Sequence, residues 1–270
     1  MDEQAKPVAL DTTTAHVARV YDYWLGGKDN FAADRQYGDD LEKRVPDIRT
    51  AALMNRLFLG RAVRYLAGEA GIRQFLDIGT GLPTANNTHQ VAQAIAPTSR
   101  VVYTDNDPLV LVHARALLTS SPVGKTAYID ADLRKPTDIL DAPELAGTLD
   151  LREPTAVMLV AVLHLIADDA VAYPAVEALV KALPSGSYLV MSHATADFWP
   201  AEKAAAANAT NAAHRVEFRF RSQAEVARFF NGLHMVEPGI VPVAEWRPGG
   251  EGPSAGREQA NIWAGVAQVP

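Results

Sequence analysis

The chain has 270 residues, 48% of them hydrophobic and 21% charged, which suits one large α/β domain or one with a helical addition. A formal charge of −7 argues against nucleic acid as the main partner, and the absence of cysteine excludes disulfides, thiolate metal sites and a cysteine nucleophile. The opening residues lack the basic start and apolar core of a signal peptide, and no apolar run is long enough to span a bilayer, so the expected compartment is the cytoplasm.

The first seventy residues read as helical. Thr14 is the expected N-cap of a short helix that places Val17, Val20, Tyr21 and Trp24 on one face, with Gly26 as its stop. Asp29 or Asn30 is expected to cap a second helix. A third is expected over 47–66, with Ala52, Leu59, Val63 and Leu66 on its apolar face and Arg56 and Arg64 off it.

The rhythm then changes. "RQFLDIG", "RVVYTD", "TAYIDAD", "TAVMLVAVL" and "SYLVMSH" are short apolar runs, separated by the helix-like "TANNTHQVAQAIA", "PLVLVHARALL", "DILDAPELAGTL" and "DAVAYPAVEALVKAL". Strands alternating with helices predict a mostly parallel α/β sheet with helices on both faces. An insertion at 192–221 carries the alanine-rich "AEKAAAANATNAAH", and "SQAE" (Ser222, Glu225) is a capping box. Two late strands, "LHMVEPGIVPV" and "NIWAGVAQV", flank a Gly/Pro-rich loop.

Chemistry gathers at the strand ends. "FLDIGTGLPT" turns from a strand into a helix, and Gly79 and Gly81 allow close backbone approach to a ligand. Asp105 ends the next strand, where a carboxylate can accept two bonds from a ribose diol; Asp132 follows the third, where it can accept from an exocyclic amine. A dinucleotide fingerprint wants a third glycine or alanine, but Thr84 stands there. Asp77, just ahead of the glycines, would repel a pyrophosphate and attract an ammonium. That favours S-adenosylmethionine over NAD(P).

At these residues the chain resembles class I S-adenosylmethionine-dependent methyltransferases. "LDIGTG", "YTDND", "DADL" and "AVLHLI" match the successive strand-end motifs from Gln74 to Pro270. More narrowly, "VARVYDYWLGGKDNFAADR" with "DIGTGLPT" and "YTDNDP" resembles a subfamily of S-adenosyl methyltransferases. The resemblance implies a Rossmann-like sheet of seven strands, the last antiparallel, over 71–270. It implies S-adenosyl-L-methionine as cofactor, with the loop of Gly79, Thr80 and Gly81 under its methionine part and Asp105 on the ribose. Asn106 and Asp107 would flank the ribose and adenine edge, Asp132 and Leu133 would border the adenine, and Ala161 opens the fourth strand-end motif. "AVLHLI" replaces the Asn-Pro-Pro-aromatic signature of amino-methylating nucleic-acid enzymes, and a small-molecule acceptor is expected.

Residues 1–70 would then form a cap or lid. Tyr21 and Tyr23 would cover apolar surface, Gly26 and Gly27 would hinge or approach closely, Lys28 would reach the cofactor carboxylate, and Asn30 would bond a polar edge. The same residues also read as a plain helix–helix corner. His164 and His193, after the fourth and fifth strands, are each a general base or a polar residue shaping the pocket. The transfer itself is an in-line displacement that needs positioning more than a base. His16, His89, His113, His214 and His234 show no metal-site spacing. Phe198 and Trp199 line an acceptor pocket or pack in the core; Arg215, Arg219 and Arg221 form a solvated face or an anion-binding rim. A non-catalytic S-adenosylmethionine-binding protein remains an alternative on sequence grounds, as does an NAD(P)-dependent oxidoreductase.

Overall fold

The computed structural model describes residues 11–117, 120–250 and 255–270. The expected absence of a signal peptide concerns residues 1–10, and part of the Gly/Pro-rich loop lies at 251–254; both fall outside the described residues. Strands β1 (Gln74–Ile78), β2 (Arg100–Asp105), β3 (Lys125–Asp130), β4 (Thr155–Val160) and β5 (Tyr188–Ala194) are parallel and lie in the order β3-β2-β1-β4-β5. Every residue of β1, β4 and β5 is buried, as central strands covered on both faces require. The chain reverses direction across the sheet between β1 and β4, and an open α/β sheet binds ligands in the crevice at such a point.

The late strand expected at "LHMVEPGIVPV" is present as two pieces, β6 (His234–Met235) and β7 (Val241–Pro242). Both pair antiparallel with β8 (Ile262–Gln268), which itself runs antiparallel to β5. A turn at Pro238 and Gly239, whose φ is +85°, separates the pieces. The sheet therefore has eight strands among the described residues.

Helices cover both faces. On one, α3 (Ile48–Gly68) and α4 (Thr88–Ile95) pack Phe58, Leu66 and Val91 against Phe75, Tyr103 and Trp246. On the other, α6 (Pro136–Leu140), α7 (Pro143–Thr148) and α8 (Asp169–Lys181) pack Ile139, Leu145 and Val176 against Leu76 and Leu159. Helix α5 (Pro108–Leu117) joins β2 to β3. A third cluster unites α1 (Val17–Trp24), α2 (Ala32–Glu42) and α9 (Ala201–Ala213) through Val20, Tyr37, Leu41 and Ala207. It sets the first two helices against the 192–221 insertion.

Several element ends differ from the sequence reading. The N-cap of α1 is His16, not Thr14, and its backbone N–H donates to Asp34 Oδ1 at 2.8 Å. Phe31, not Asp29 or Asn30, caps α2, where Asp34 Oδ2 accepts the Phe31 N–H. Residues 84–87 turn before α4 begins at Thr88, with Asn87 and Gln90 as its capping box. "DILDAPELAGTL" is two helices because Pro143 has no N–H with which to continue the first. The Ser222–Glu225 capping box opens α10 (Gln223–Arg228) as expected.

Candidate functional site

A cavity of about 370 Å³ opens at the carboxyl ends of β1, β2 and β4. Its floor is the glycine loop. Gly79 and Gly81 have φ of +72° and +67°, conformations that L side chains rarely adopt. A Cβ at Gly79 would also lie 2.4 Å from Val162 Cγ2, so the loop is packed directly on the end of β4. At Gly81 an added Cβ would meet nothing within 4 Å.

Asp105 holds the loop in register. Its Oδ2 accepts the Gly81 N–H at 2.8 Å and its Oδ1 accepts the Asp107 N–H at 3.0 Å. Burial raises its pKa, and those two N–H groups pull the other way. A carboxylate has about four lone-pair sites. Two are used here, which leaves one on each oxygen for a diol.

Asp77 is 4% exposed and lines the same cavity. Burial pushes its carboxyl up to about 6, against the Thr88 hydroxyl, which donates to Oδ2 at 2.6 Å, and the charge of Arg56. The sequence reading placed Arg56 off the apolar face of α3 and went no further. In the structure it lines the cavity: Nη2 donates to Ala85 O at 3.1 Å and to Asn87 Oδ1 at 2.8 Å. Its Nε is buried with no partner among the described residues.

Asn106, Asp132 and Leu133 also line the cavity. Asp132 accepts from Asn106 Nδ2 at 3.3 Å and pairs with Arg134, which in turn bonds Glu217 at 2.8 Å. Asp107 is not among the residues that line the cavity, although its partner His16 is. Asp107 is 2% exposed, with His16 Nδ1 at 3.0 Å and Arg19 Nε at 3.5 Å. Burial alone would raise its carboxyl, but the His16 hydrogen bond and charge, the Leu109 N–H and Arg19 hold it below the usual value. It thus fastens the start of α1 to the end of β2.

The structure separates the N-terminal candidates. Tyr21 lines the cavity, whereas Tyr23, Gly27, Lys28 and Asn30 do not. The Tyr21 hydroxyl donates to Ala52 O at 2.9 Å and accepts from Asn55 Nδ2 at 3.0 Å. Asn55 Oδ1 accepts from Ser192 Oγ at 2.5 Å, and Ser192 Oγ accepts from Ala161 N at 2.9 Å. This chain of bonds holds Ala161 at a φ of +59°, unusual outside glycine, and connects α1 to the ends of β4 and β5. Gly27 and Asn30 instead serve Asp22. Its buried Oδ2 accepts from Asp29 N and Asn30 Nδ2, and a Cβ on Gly27 would overlap its carboxylate. Lys28 is exposed, and the Tyr23 hydroxyl donates to Asp39 at 2.7 Å.

His193 is fully buried, and both ring nitrogens are committed. Nε2 lies 2.9 Å from Arg221 Nη1, which can only donate, so Nδ1 carries the proton and donates to Ala194 O at 2.8 Å. Burial pushes its pKa down to about 3. His164 does line the cavity, with Phe218 4.7 Å away, and burial keeps it neutral. The neighbours Phe198 and Trp199 part company: Phe198 packs on Trp263 in the core, and Trp199 faces the cavity. Arg221 is fully buried on Asp169, Leu163 O and Ile166 O, and Arg219 pairs with Asp169 and Glu225. Arg215 is exposed at the cavity edge, with no side-chain partner among the described residues.

A family model described as S-adenosyl methyltransferase matches residues 3–270. The chain belongs to the S-adenosyl methyltransferase family. Two solved structures are similar over nearly its whole length. One is a DUF574 family protein from Streptomyces avermitilis MA-4680, 47% identical, covering 97% of this chain and 100% of that one, with a TM-score of 0.94. The other is a candidate methyltransferase from Thermobifida fusca YX, 42% identical, covering 97% and 98%, with a TM-score of 0.89. A search of curated proteins finds no match. The protein is therefore an S-adenosylmethionine-dependent methyltransferase, and the oxidoreductase alternative falls with that membership. No helix among the described residues is long and apolar enough to cross a membrane.

Proposed function

We propose that this methyltransferase holds S-adenosylmethionine between the glycine loop and α3 and methylates a small-molecule acceptor in the cytoplasm. The observation that carries the reading is the Asp105 carboxylate, fixed by two backbone N–H groups and left with one free lone pair on each oxygen beside the cavity. A ribose diol fits those two positions.

The polar groups on the other walls fit the rest of the cofactor. Ionised Asp77 attracts the amino-acid ammonium, and the orphaned Nε of Arg56 supplies a donor for the carboxylate. Gly79, Thr80 and Gly81 offer a backbone that a ligand can approach closely. Asn106, Asp132 and Leu133 border the adenine, and Ala161 borders the reacting end. The bound cofactor supplies an already activated sulfonium methyl. The protein positions the acceptor and excludes water from it. Neutral His164 shapes that region, while His193 takes no part.

Of the candidates Tyr21, Tyr23, Gly27, Lys28 and Asn30, Tyr21 is the one that lines the site. Tyr23, Gly27, Lys28 and Asn30 shape the segment that carries it. The net charge of −7 and the cover provided by α1, α2 and the insertion favour a small molecule over a nucleic acid. Calorimetry with S-adenosylmethionine, S-adenosylhomocysteine, NAD and NADP tests the reading. The two adenosyl ligands are expected to bind and the dinucleotides not; the reverse result would overturn it.

A further inference from the structure

The cavity extends past the cofactor walls into a second compartment between α1–α2 and the 192–221 insertion. Its surroundings are aromatic. His164, beside the reacting end, meets Phe218 at 4.7 Å; Phe218 meets Phe220 at 4.9 Å, and Phe220 meets Trp199 at 5.5 Å. Trp24 and Tyr37, 6.5 Å apart, line the cavity from α1 and α2.

Polar side chains interrupt this apolar lining, Arg215 and Glu217 at exposed positions and Asn261 and Asn211 at buried ones. Asn211 is only 4% exposed, yet it lines the cavity. Its Oδ1 accepts the Tyr37 hydroxyl at 2.9 Å, which fixes the orientation of the amide. Nδ2 is left without a partner among the described residues, and it can only donate. Nδ2 is not among the fully buried unpartnered atoms, so it is open to the cavity, where an accepting atom of a ligand can replace water as its partner.

We infer that this compartment is the acceptor subsite, and that it takes a neutral, ring-bearing small molecule whose accepting oxygen or nitrogen bonds Asn211 Nδ2. The inference rests on the methyltransferase reading of the cofactor half. Aromatic walls select rings through stacking and edge contacts. The charged side chains on this part of the lining, Arg215 and Glu217, are exposed, so an uncharged ligand avoids desolvating a charge with no buried counter-charge to meet it. A total volume of about 370 Å³ is near the lower end for ligand pockets, and it must hold cofactor and acceptor together, so the acceptor is small.

Three probes test this by ligand-observed NMR on the full chain loaded with S-adenosylhomocysteine. Acetophenone has a ring and only accepts; 1-phenylethanol has a ring and can also donate; glucose is polar and has no aromatic ring. Acetophenone and 1-phenylethanol are expected to bind and glucose not. In Asn211→Asp the carboxylate still accepts from Tyr37 but cannot donate. Acetophenone is expected to bind at least tenfold more weakly there, and 1-phenylethanol to lose less. Tyr37→Phe, which frees the amide to turn, gives an intermediate loss and serves if the Asp variant does not fold. S-adenosylhomocysteine affinity, measured by calorimetry, stays unchanged in both variants. Failure of S-adenosylhomocysteine to bind the unaltered protein would overturn the cofactor reading and with it this assignment. Cofactor binding without either ring probe, or equal acetophenone affinity in wild type and variants, overturns the acceptor subsite alone.

Discussion

The backbone N–H of Gly81 donates to Oδ2 of Asp105 at 2.8 Å, so the glycine loop and the end of β2 form one rigid unit. Asp105→Ala removes that bond together with both positions proposed for the ribose. Each bond to a charged acceptor contributes roughly 1.5–3 kcal/mol. S-adenosylhomocysteine affinity is therefore expected to fall at least about a hundredfold by calorimetry. Unaltered affinity in a folded Asp105→Ala protein would place the ribose elsewhere.

If Asp77 meets the cofactor ammonium as proposed, cofactor binding should depend on pH. Burial raises its carboxyl to about 6 in the folded protein, above the unfolded value of 3.8. The folded state thus binds the extra proton, and this group stabilises the fold increasingly as pH falls from about 6 toward 4. Cofactor affinity is expected to run the opposite way, because only the ionised form would attract the ammonium. The dissociation constant of S-adenosylhomocysteine should rise as pH drops through about 6. Asp77→Asn should bind weakly at every pH and lose this step. A step that survives in the variant would assign it to another group.

Gly79 and Gly81 are separable by mutation. Gly81→Ala meets no atom within 4 Å and carries only the strain of a φ of +67°, about 1–2 kcal/mol. Gly79→Ala has comparable strain and also drives a methyl group to 2.4 Å from Val162 Cγ2. Overpacking of that kind adds about 1–3 kcal/mol. Thermal unfolding should rank Gly79→Ala clearly below Gly81→Ala, and Val162→Ala in the Gly79→Ala background should recover part of the difference. Equal melting temperatures for the two single variants would mean that Val162 yields freely.

The parts of this site legible in the sequence lie at strand ends. Asp77, Gly79, Gly81, Asp105 and Asp132 each close or follow a visible apolar run, so the sheet places them together once its parallel order is recognised. The parts that were not legible depend on distant partners. Asp34 fixes the start of α1 by reaching the His16 N–H from eighteen residues away, and nothing local marks His16 above Thr14 as a cap. Arg56 and Asn55 sit on a helix whose apolar face explains its packing without them. Asn211 lies in an alanine-rich run, and its place beside Tyr37 depends on how two remote helices meet. Phe198 and Trp199 are adjacent in the chain but point one into the core and the other into the cavity, a distinction that composition does not carry.

The last prediction concerns "DYWLGGKDN". Gly26 stops α1 at a φ of +82°, and the turn after it is organised by the buried Asp22 carboxylate. Those are the features of a structural corner. Tyr21, however, reaches the cavity and joins the bonded chain through Asn55 and Ser192 to Ala161 at the end of β4. A ligand resting on Ala161 and the glycine loop would bias that chain toward its closed arrangement, and its contacts would offset the entropy of ordering the segment. Amide hydrogen exchange reads this directly. Protection over residues 21–30 should rise on adding S-adenosylhomocysteine, together with protection at Gly79 to Gly81. Asn55→Ala should abolish the first response and leave the second. If only the glycine loop responds in the unaltered protein, residues 21–30 are a fixed corner, and Tyr21 is a wall of the cavity that does not move with the cofactor.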